Sequence, residues 1–471
     1  MAAAVSEVEN RTFDEIKIGE KASVTKTITK DDIELYGAVT GDANPTHFDE
    51  ETARASRFEG IVGHSMIVAG LISNVLGNKL PGPGTVYRSQ SLRFVHPVYA
   101  GDTVTATVTV RNKRSEQKTV LFDCACINQR GEEVLEGEAE VLAATAKLHT
   151  PAKSSPQLRV QKHEKYERLI ARAKELPAKS TIVAHPCDES SLRGAIEAAD
   201  MGLIDPILVG PEQKIRAAAA DAGLDVRRFE IVAAPHSHAA AVKAVELIRA
   251  GRGEVLMKGS LHSDELLREV AARESGLRTA RRISHVFIMD VPTYPHPLFI
   301  TDAAVNIAPD LDAKRDIVQN AIDLHLGLGL GTPRVAILSA VETVSTKIPS
   351  TIDAAALCKM ADRGQITGGL IDGPFALDNA ISPEAARIKG LRSEVAGNAQ
   401  ILVVPDLEAG NMLAKNLSFL ANADAAGIVL GARVPVVLTS RADAVRTRLA
   451  SCAVAALYAH SQRQRAPIAA E

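Results

Sequence analysis

Tryptophan is absent from the 471 residues, and aromatic residues make up only 3% of them. The cores must therefore be built from Ala, Val, Leu and Ile. A surplus of either charge is missing as well. The formal net charge of -3 suggests no nucleic-acid or general membrane role, so neither is expected as a partner. Cysteine is scarce and scattered: Cys124, Cys126, Cys187, Cys358 and Cys452 show no metal-ligand spacing, and no metal is expected. Cys124 and Cys126 stand two apart in an expected strand, point to one face, and read as small core residues rather than a disulfide. A reducing cytoplasm fits them. The N-terminus lacks a basic-then-apolar leader pattern. No apolar run approaches the roughly 18 residues of a membrane span.

A chain of this length exceeds one ordinary core, and two or three domains are expected. The pattern breaks between Ala146 and Lys162. There Pro151, Ser154, Ser155 and Pro156 interrupt the hydrophobic periodicity, and Lys147, Lys153, Arg159 and Lys162 are basic. We read residues 146–162 as a linker between domains at 1–145 and 163–471.

In the first domain the spacing predicts a strand at Ala22 to Thr29 and a helix at Lys30 to Val39, capped by Thr29 with Asp31 and Asp32 in its first turn. A short helix is expected at Thr52 to Phe58. His64 to Leu76 is apolar on nearly every side and reads as a helix buried all round, ended by Gly77. Strands are expected at Asp102 to Val110, Thr119 to Ile127 and Glu133 to Leu142. The first of these alternates Thr with Val or Ala in a strict period of two. One buried helix followed by antiparallel strands suggests a sheet wrapped around that helix.

Between the first two helices lies Gly41-Asp42-Ala43-Asn44-Pro45-Thr46-His47. Asn-Pro turns the chain and can fold Asp42 and His47 toward one point. A carboxylate and an imidazole converging on one water form a general acid/base pair. Singly, Asp42 also reads as a turn or cap residue and His47 as a solvated loop residue. The string from Tyr36 to His47 is more specific. It resembles the signature of the MaoC-like, (R)-specific enoyl-CoA hydratases, and the resemblance runs through Leu76 to Gly84 and Leu92-Arg93-Phe94 to about residue 143. It implies a hot-dog fold, Asp42 and His47 as the catalytic pair, Asn44 in substrate binding, and a homo-oligomer, since hot-dog modules commonly complete their sites across a dimer. It also implies oxyanion donors at the start of the central helix, Gly63, Ser65 and Met66. The family pattern there is His-Gly-Met, whereas this chain has His64-Ser65-Met66. Ser65 lacks glycine's freedom of backbone angle, and it also reads as a helix cap.

From residue 163 the pattern alternates. Strands are expected at Thr181 to Ala184, Pro206 to Gly210, Phe229 to Ala233, Glu254 to Lys258, Val286 to Met289, Arg334 to Leu338, Gly369 to Ile371, Ala399 to Val404 and Val434 to Leu438. Helices are expected between several of them, as at Ser190 to Met201, Gln213 to Ala222, Ala239 to Arg249 and Asp264 to Arg273. This predicts a parallel sheet with helices on both faces, whose ligands bind beyond the carboxyl ends of the strands. Three segments there carry small residues, helix starts or cations: Lys258-Gly259-Ser260, Pro405 to Asn411 leading to Lys415, and Ser440-Arg441-Ala442-Asp443. Each alone also fits ordinary capping.

Together with Ile428 to Arg433, these segments resemble the phosphate acetyl/butyryltransferase family over roughly residues 180 to 460. The implied fold is an α/β domain of two subdomains, phosphotransacetylase-like and similar to the isocitrate and isopropylmalate dehydrogenases. The implied reaction exchanges CoA for phosphate on an acyl group. Arg441 would engage the substrate and Ser440 the reacting centre, with Lys258, Gly259, Ser260, Gly410, Asn411, Lys415 and Asp443 binding substrate. No tightly bound cofactor is implied; coenzyme A thioesters and inorganic phosphate are substrates. The acetyltransferases carry a downstream aspartate that serves as base, but this chain reads Val445-Arg446-Thr447. The nearest acid is Asp443, in a string more like the butyryltransferases.

The two modules together resemble the bifunctional enoyl-CoA hydratase/phosphate acetyltransferase proteins. One rival reading makes the rear module a non-catalytic acyl-CoA sensor and oligomerisation platform. Another gives the front module a different thioester carrier, such as acyl carrier protein. Gly327 to Thr332 imitates a dinucleotide loop, yet it follows an expected helix and precedes a strand, the reverse of the order such a loop needs. His236, His238 and His296 lack partner spacing and read as loop or cap residues rather than metal ligands.

Overall fold

Residues 7–151, 158, 163–438 and 445–464 are described by a computed structural model. The chain divides into two units, Met1–Val160 and Gln161–Glu471.

The first unit contains β1 (Glu7–Glu9), β2 (Lys21–Thr27), α1 (Lys30–Thr40), a 3-10 turn (Pro45–His47), α2 (Glu50–Ala55), α3 (Ser65–Asn78), β3 (Val86–Phe94), β4 (Thr103–Arg114), β5 (Thr119–Ile127), β6 (Glu133–Leu142) and β7 (His149–Pro151). Five strands form an antiparallel sheet in the order β2-β4-β5-β6-β3. The alternation along β4 is real: Val104, Ala106, Val108 and Val110 are buried, and the threonines between them are only partly so. These side chains meet Leu71, Ile72, Val75 and Leu76 of α3 in one core, with Phe122, Cys124, Cys126 and Val141. Cys124 and Cys126 are buried free thiols on one face of β5. This is the hot-dog arrangement, a sheet curled around one helix.

The expectation of a helix buried on every side is corrected. Val68, Ala69, Leu71, Ile72, Val75 and Leu76 of α3 are buried, but Ser65, Met66, Gly70, Ser73, Asn74 and Gly77 form an exposed face. The exposed residues are mostly small, so hydropathy alone did not separate the two faces. Strand β3 had no clear pattern because it lies at the sheet edge with almost every residue exposed.

The second unit contains α4 (Glu164–Lys174), β8 (Lys179–Ala184), α5 (Glu189–Asp200), β9 (Ile204–Gly210), α6 (Glu212–Asp221), β10 (Glu230–Ala233), α7 (Ser237–Arg249), β11 (Val255–Lys258), α8 (Ser263–Val270), β12 (Ser284–Asp290), β13 (Leu298–Thr301), α9 (Leu311–Gly327), β14 (Arg334–Leu338), α10 (Pro349–Asp362), β15 (Leu370–Phe375), α11 (Leu377–Ile381), α12 (Pro383–Ile388), β16 (Ile401–Val403), α13 (Leu407–Leu420), β17 (Asp424–Leu430), β18 (Val436–Val437) and α14 (Val445–Gln464). Eleven strands form one sheet in the order β10-β9-β8-β11-β18-β17-β12-β13-β16-β14-β15.

The sheet is not parallel throughout, and this corrects the sequence expectation. Strands β10, β9, β8, β11 and β18 run one way. Strands β13, β16, β14 and β15 run together, but three antiparallel pairings (β18 with β17, β17 with β12, β12 with β13) reverse them relative to the first set. The reversal rests on β13, a four-residue run, and on β17, whose Ala425, Ala426 and Gly427 give a weak strand signal.

One transverse row of the register runs through the middle of this sheet. Met257 lies opposite Val437, Val437 opposite Ile428, Ile428 opposite Val286, Val286 opposite Thr301, and Thr301 opposite Val403. The carboxyl ends of β11 and β18 reach this row from one side. Those of β13 and β16 reach it from the other. The loops that follow both sets of strands therefore start from a common line, with β18 and β13 three strand spacings apart, roughly 14 Å. Small side chains let α14 pack tightly across the unit: Ala450, Ala453, Val454, Ala455 and Leu457 are all buried.

Candidate functional site

The front site is built by a helix end, a turn and a second helix start. Thr29 caps α1 in a capping box with Asp32, and Gly41 ends it at φ +76°. Asn44 then caps the 3-10 turn: its Oδ1 accepts from the Thr46 N–H and hydroxyl at 3.3 and 3.2 Å. Phe48 folds back against α1, where a Cβ on Gly37 would stand 2.5 Å from its ring and force that ring to shift. The result is that a carboxylate oxygen of Asp42 and ring nitrogens of His47 and His64 lie within 4.8 Å of one another.

His47 is oriented by its Nδ1, which meets the Val62 carbonyl at 2.7 Å. A carbonyl only accepts, so Nδ1 carries the proton and the neutral ring keeps its lone pair on Nε2. His64 was missed as a member of the site; the sequence reading took it only as the first residue of the central helix. It is buried and stacks on His47 with ring centroids 3.8 Å apart. Its Nε2 lies 3.3 Å from the Asp42 carbonyl oxygen and 3.8 Å from Oδ2. Its Nδ1 is buried with no hydrogen-bond partner. Two imidazoles and a carboxylate are transition-metal donors by type. A metal on Nε2 would, however, force an unpaired N–H onto the buried Nδ1. The cluster is better suited to hold and pass protons.

The helix start is more restricted than the sequence suggested. The Gly63 N–H already donates to the Val98 carbonyl at 2.7 Å. The N–H groups of Ser65 and Met66 open α3 and have no intrahelical acceptor by position. The helix cap is His64, which makes no side-chain capping bond, and Ser65 is the first helical residue.

In the second unit, Lys258 is buried, with Nζ 3.3 Å from the carbonyls of Gly259 and Leu261. Ser260 Oγ donates to the His185 carbonyl at 2.8 Å. On the other side of the row, Asp406 caps α13 and Gly410 packs on Asp302 and Ala303. Asn411 Nδ2 donates to the Ala303 carbonyl at 3.3 Å, and Lys415 is exposed. The loop after β13 was not singled out by its sequence. The Asp302 carboxylate there accepts the N–H groups of Ala304, Val305 and Asn306 and the Asn306 amide at 2.6 Å. Asn306 in turn accepts Arg282 Nε at 2.7 Å. Burial holds the neighbouring His285 well below the ordinary imidazole value, against the Asp302 charge. Ser440, Arg441 and Asp443 lie outside the described residues.

Two decoys take structural places. His236 caps α7, Nδ1 accepting from the Ala239 N–H at 3.2 Å. Gly331, in the glycine-rich stretch between α9 and β14, accepts from His325 Nδ1 at 2.9 Å.

Two separate stretches of the chain are similar to known families. Residues 13–125 match the MaoC like domain, and residues 233–456 match the phosphate acetyl/butaryl transferase family. A phosphate acetyltransferase of Rhizobium meliloti is 74% identical over 306 residues, covering 65% of this chain and 96% of the relative. A phosphate butyryltransferase of Clostridium acetobutylicum is 43% identical over 294 residues, 62% of this chain and 98% of the relative. Among solved structures, a branched-chain phosphotransacylase from Enterococcus faecalis is 30% identical with a TM-score of 0.53, covering 60% of this chain and 99% of that one. The chain thus belongs to the phosphate acetyl/butyryltransferase family and carries a MaoC-like domain ahead of its transferase domain.

Proposed function

We propose that the chain is a bifunctional acyl-CoA enzyme. Its front unit hydrates a trans-2-enoyl-CoA to an (R)-3-hydroxyacyl-CoA, or runs the reverse dehydration. Its second unit moves an acyl group between CoA and phosphate. The observation that carries the first half is the convergence of Asp42 and His47 within 4.8 Å beside the start of α3. Both can accept from one water, which raises its nucleophilicity toward the β-carbon. The proton taken from that water is returned to the α-carbon, so addition is balanced. The N–H groups of Ser65 and Met66 suit the negative charge that develops on the thioester oxygen.

The transferase half is supported by relatives that match nearly their whole length to this chain. Arg441, with its planar fork, is the residue we assign to the phosphate-bearing substrate, and Ser440 to the reacting centre. The full-length protein should be assayed for both activities in the wild type, Asp42→Asn and Arg441→Ala. Asp42→Asn should lower hydration by about 10²-fold or more and leave acyl transfer intact, and Arg441→Ala should do the opposite. Hydration at the wild-type rate in Asp42→Asn would remove the acid/base assignment. A wild type that transfers no acyl group would leave the second unit as a binding platform.

A further inference from the structure

Strands β8 and β11 lie side by side with Ala184 in register with Lys258. His185 and Gly259 therefore leave the sheet together at the carboxyl ends of its first set of strands. Their backbones are locked. The Gly259 N–H donates to the Ala184 carbonyl at 2.8 Å and the Ser260 N–H to the His185 carbonyl at 2.9 Å. A Cβ on Gly259 would stand 2.4 Å from the first oxygen and 2.6 Å from the second. His185 itself adopts φ +55°, a left-handed conformation that is unfavourable for a non-glycine residue and persists where surrounding contacts impose it. The His185 N–H, donating to the Val209 carbonyl at 2.7 Å, is one such contact.

The side chain is aimed as firmly as the backbone. His185 Nδ1 lies 3.0 Å from Ser260 Oγ. That hydroxyl gives its one proton to the His185 carbonyl and also receives the Cys187 N–H at 3.3 Å. Nδ1 must therefore be the donor, and the neutral ring keeps its lone pair on Nε2. Nε2 has no hydrogen-bond partner among the described residues. Among the described residues after β18, α14 opens with Val445-Arg446-Thr447 and carries no acid.

We propose that His185 Nε2 is the proton acceptor for the CoA thiol in the acyl-transfer reaction, a proposal that rests on the transferase reading above. The S–H proton passes to Nε2 as sulfur bonds to the acyl carbon. The bond from that carbon to the phosphate oxygen breaks, and its electron pair leaves on the phosphate. The imidazolium then returns its proton to the released phosphate or to water. Burial lowers the His185 value and the Lys214 cation of α6 lowers it further, opposed by Glu265 of α8 and Asp188 at the cap of α5. The ring is thus neutral and able to accept at neutral pH.

The test compares full-length wild type and His185→Asn for acyl-CoA formation from acyl phosphate and CoA across a pH series. Asparagine retains an N–H donor toward Ser260 and lacks the second ring nitrogen. The expected result is a kcat lower by about 10²-fold or more, a little-changed KM for acyl phosphate, loss of the acidic limb of the pH–kcat profile, and partial recovery with added imidazole. A kcat within about threefold of wild type, or a lowered kcat whose pH profile is unchanged and which imidazole does not restore, overturns the proposal. Absence of transfer in the wild type would instead remove the reading on which it rests.

Discussion

His64 holds the front cluster together. Its Nδ1 is buried and unpartnered, so a proton there would be stranded; the ring is best suited to donate through Nε2 toward Asp42. Stacked on His47, it also limits how that ring of the proposed acid/base pair can rotate. His64→Phe keeps a ring of similar shape and removes the donor. We expect hydration to fall by roughly 10²-fold through a small displacement of the Asp42 carboxylate, with acyl transfer unchanged. An unaltered hydration rate with a native circular dichroism spectrum would show that His64 is only packing. Asp42 and His47 were legible because both sit in one turn. His64 was not, because it reaches them only after β2, the Asp42 loop and the Val62–Tyr99 bridge are assembled.

Helix α13 shows the same division at the scale of an element. Its start was legible from Pro405-Asp406 and its apolar spacing, and Asp406 caps it by accepting from the Ala409 N–H at 2.9 Å. The use of Gly410 was not legible. A glycine at a strand-to-helix turn invites a ligand, yet here a Cβ would stand 2.8 Å from Val404 Cγ2, 2.9 Å from Ala303 Cβ and 3.0 Å from the Asp302 carbonyl oxygen. Gly410 is what lets α13 dock on the loop after β13. Gly410→Ala should therefore destabilise the second unit by about 1–3 kcal/mol, read as a lower denaturant midpoint. A midpoint equal to wild type would show that the loop moves aside freely. Caps and alternation act within a few residues, so the sequence displayed them. The sense of β13 and β17 depends on partners far along the chain.

For the whole molecule, the division after Val160 separates two cores that share no hydrophobic cluster. The Rhizobium meliloti relative matches 96% of its length to 65% of this chain, so it corresponds to the second unit. That unit begins with its own anchor. Tyr166 of α4 is fully buried, and its hydroxyl donates to the Ile288 carbonyl, with the Asp424 carbonyl 3.0 Å away. A chain of residues 161–471 expressed alone should fold and transfer acyl groups within about threefold of the full-length rate. An insoluble or inactive fragment would show that the front unit is needed for the second to function.

The amino-acid sequence by itself determined the two modules, the Asp42–His47 turn, the caps and most strands, because each is written in residues a few positions apart. Only the tertiary structure decided that α3 keeps one face open, that Val98 takes the Gly63 N–H, that His64 joins the front pair, and that two opposed sets of strand ends meet on one row. Those features depend on which distant groups come into contact, and that is set by packing and hydrogen-bond geometry rather than by any local pattern.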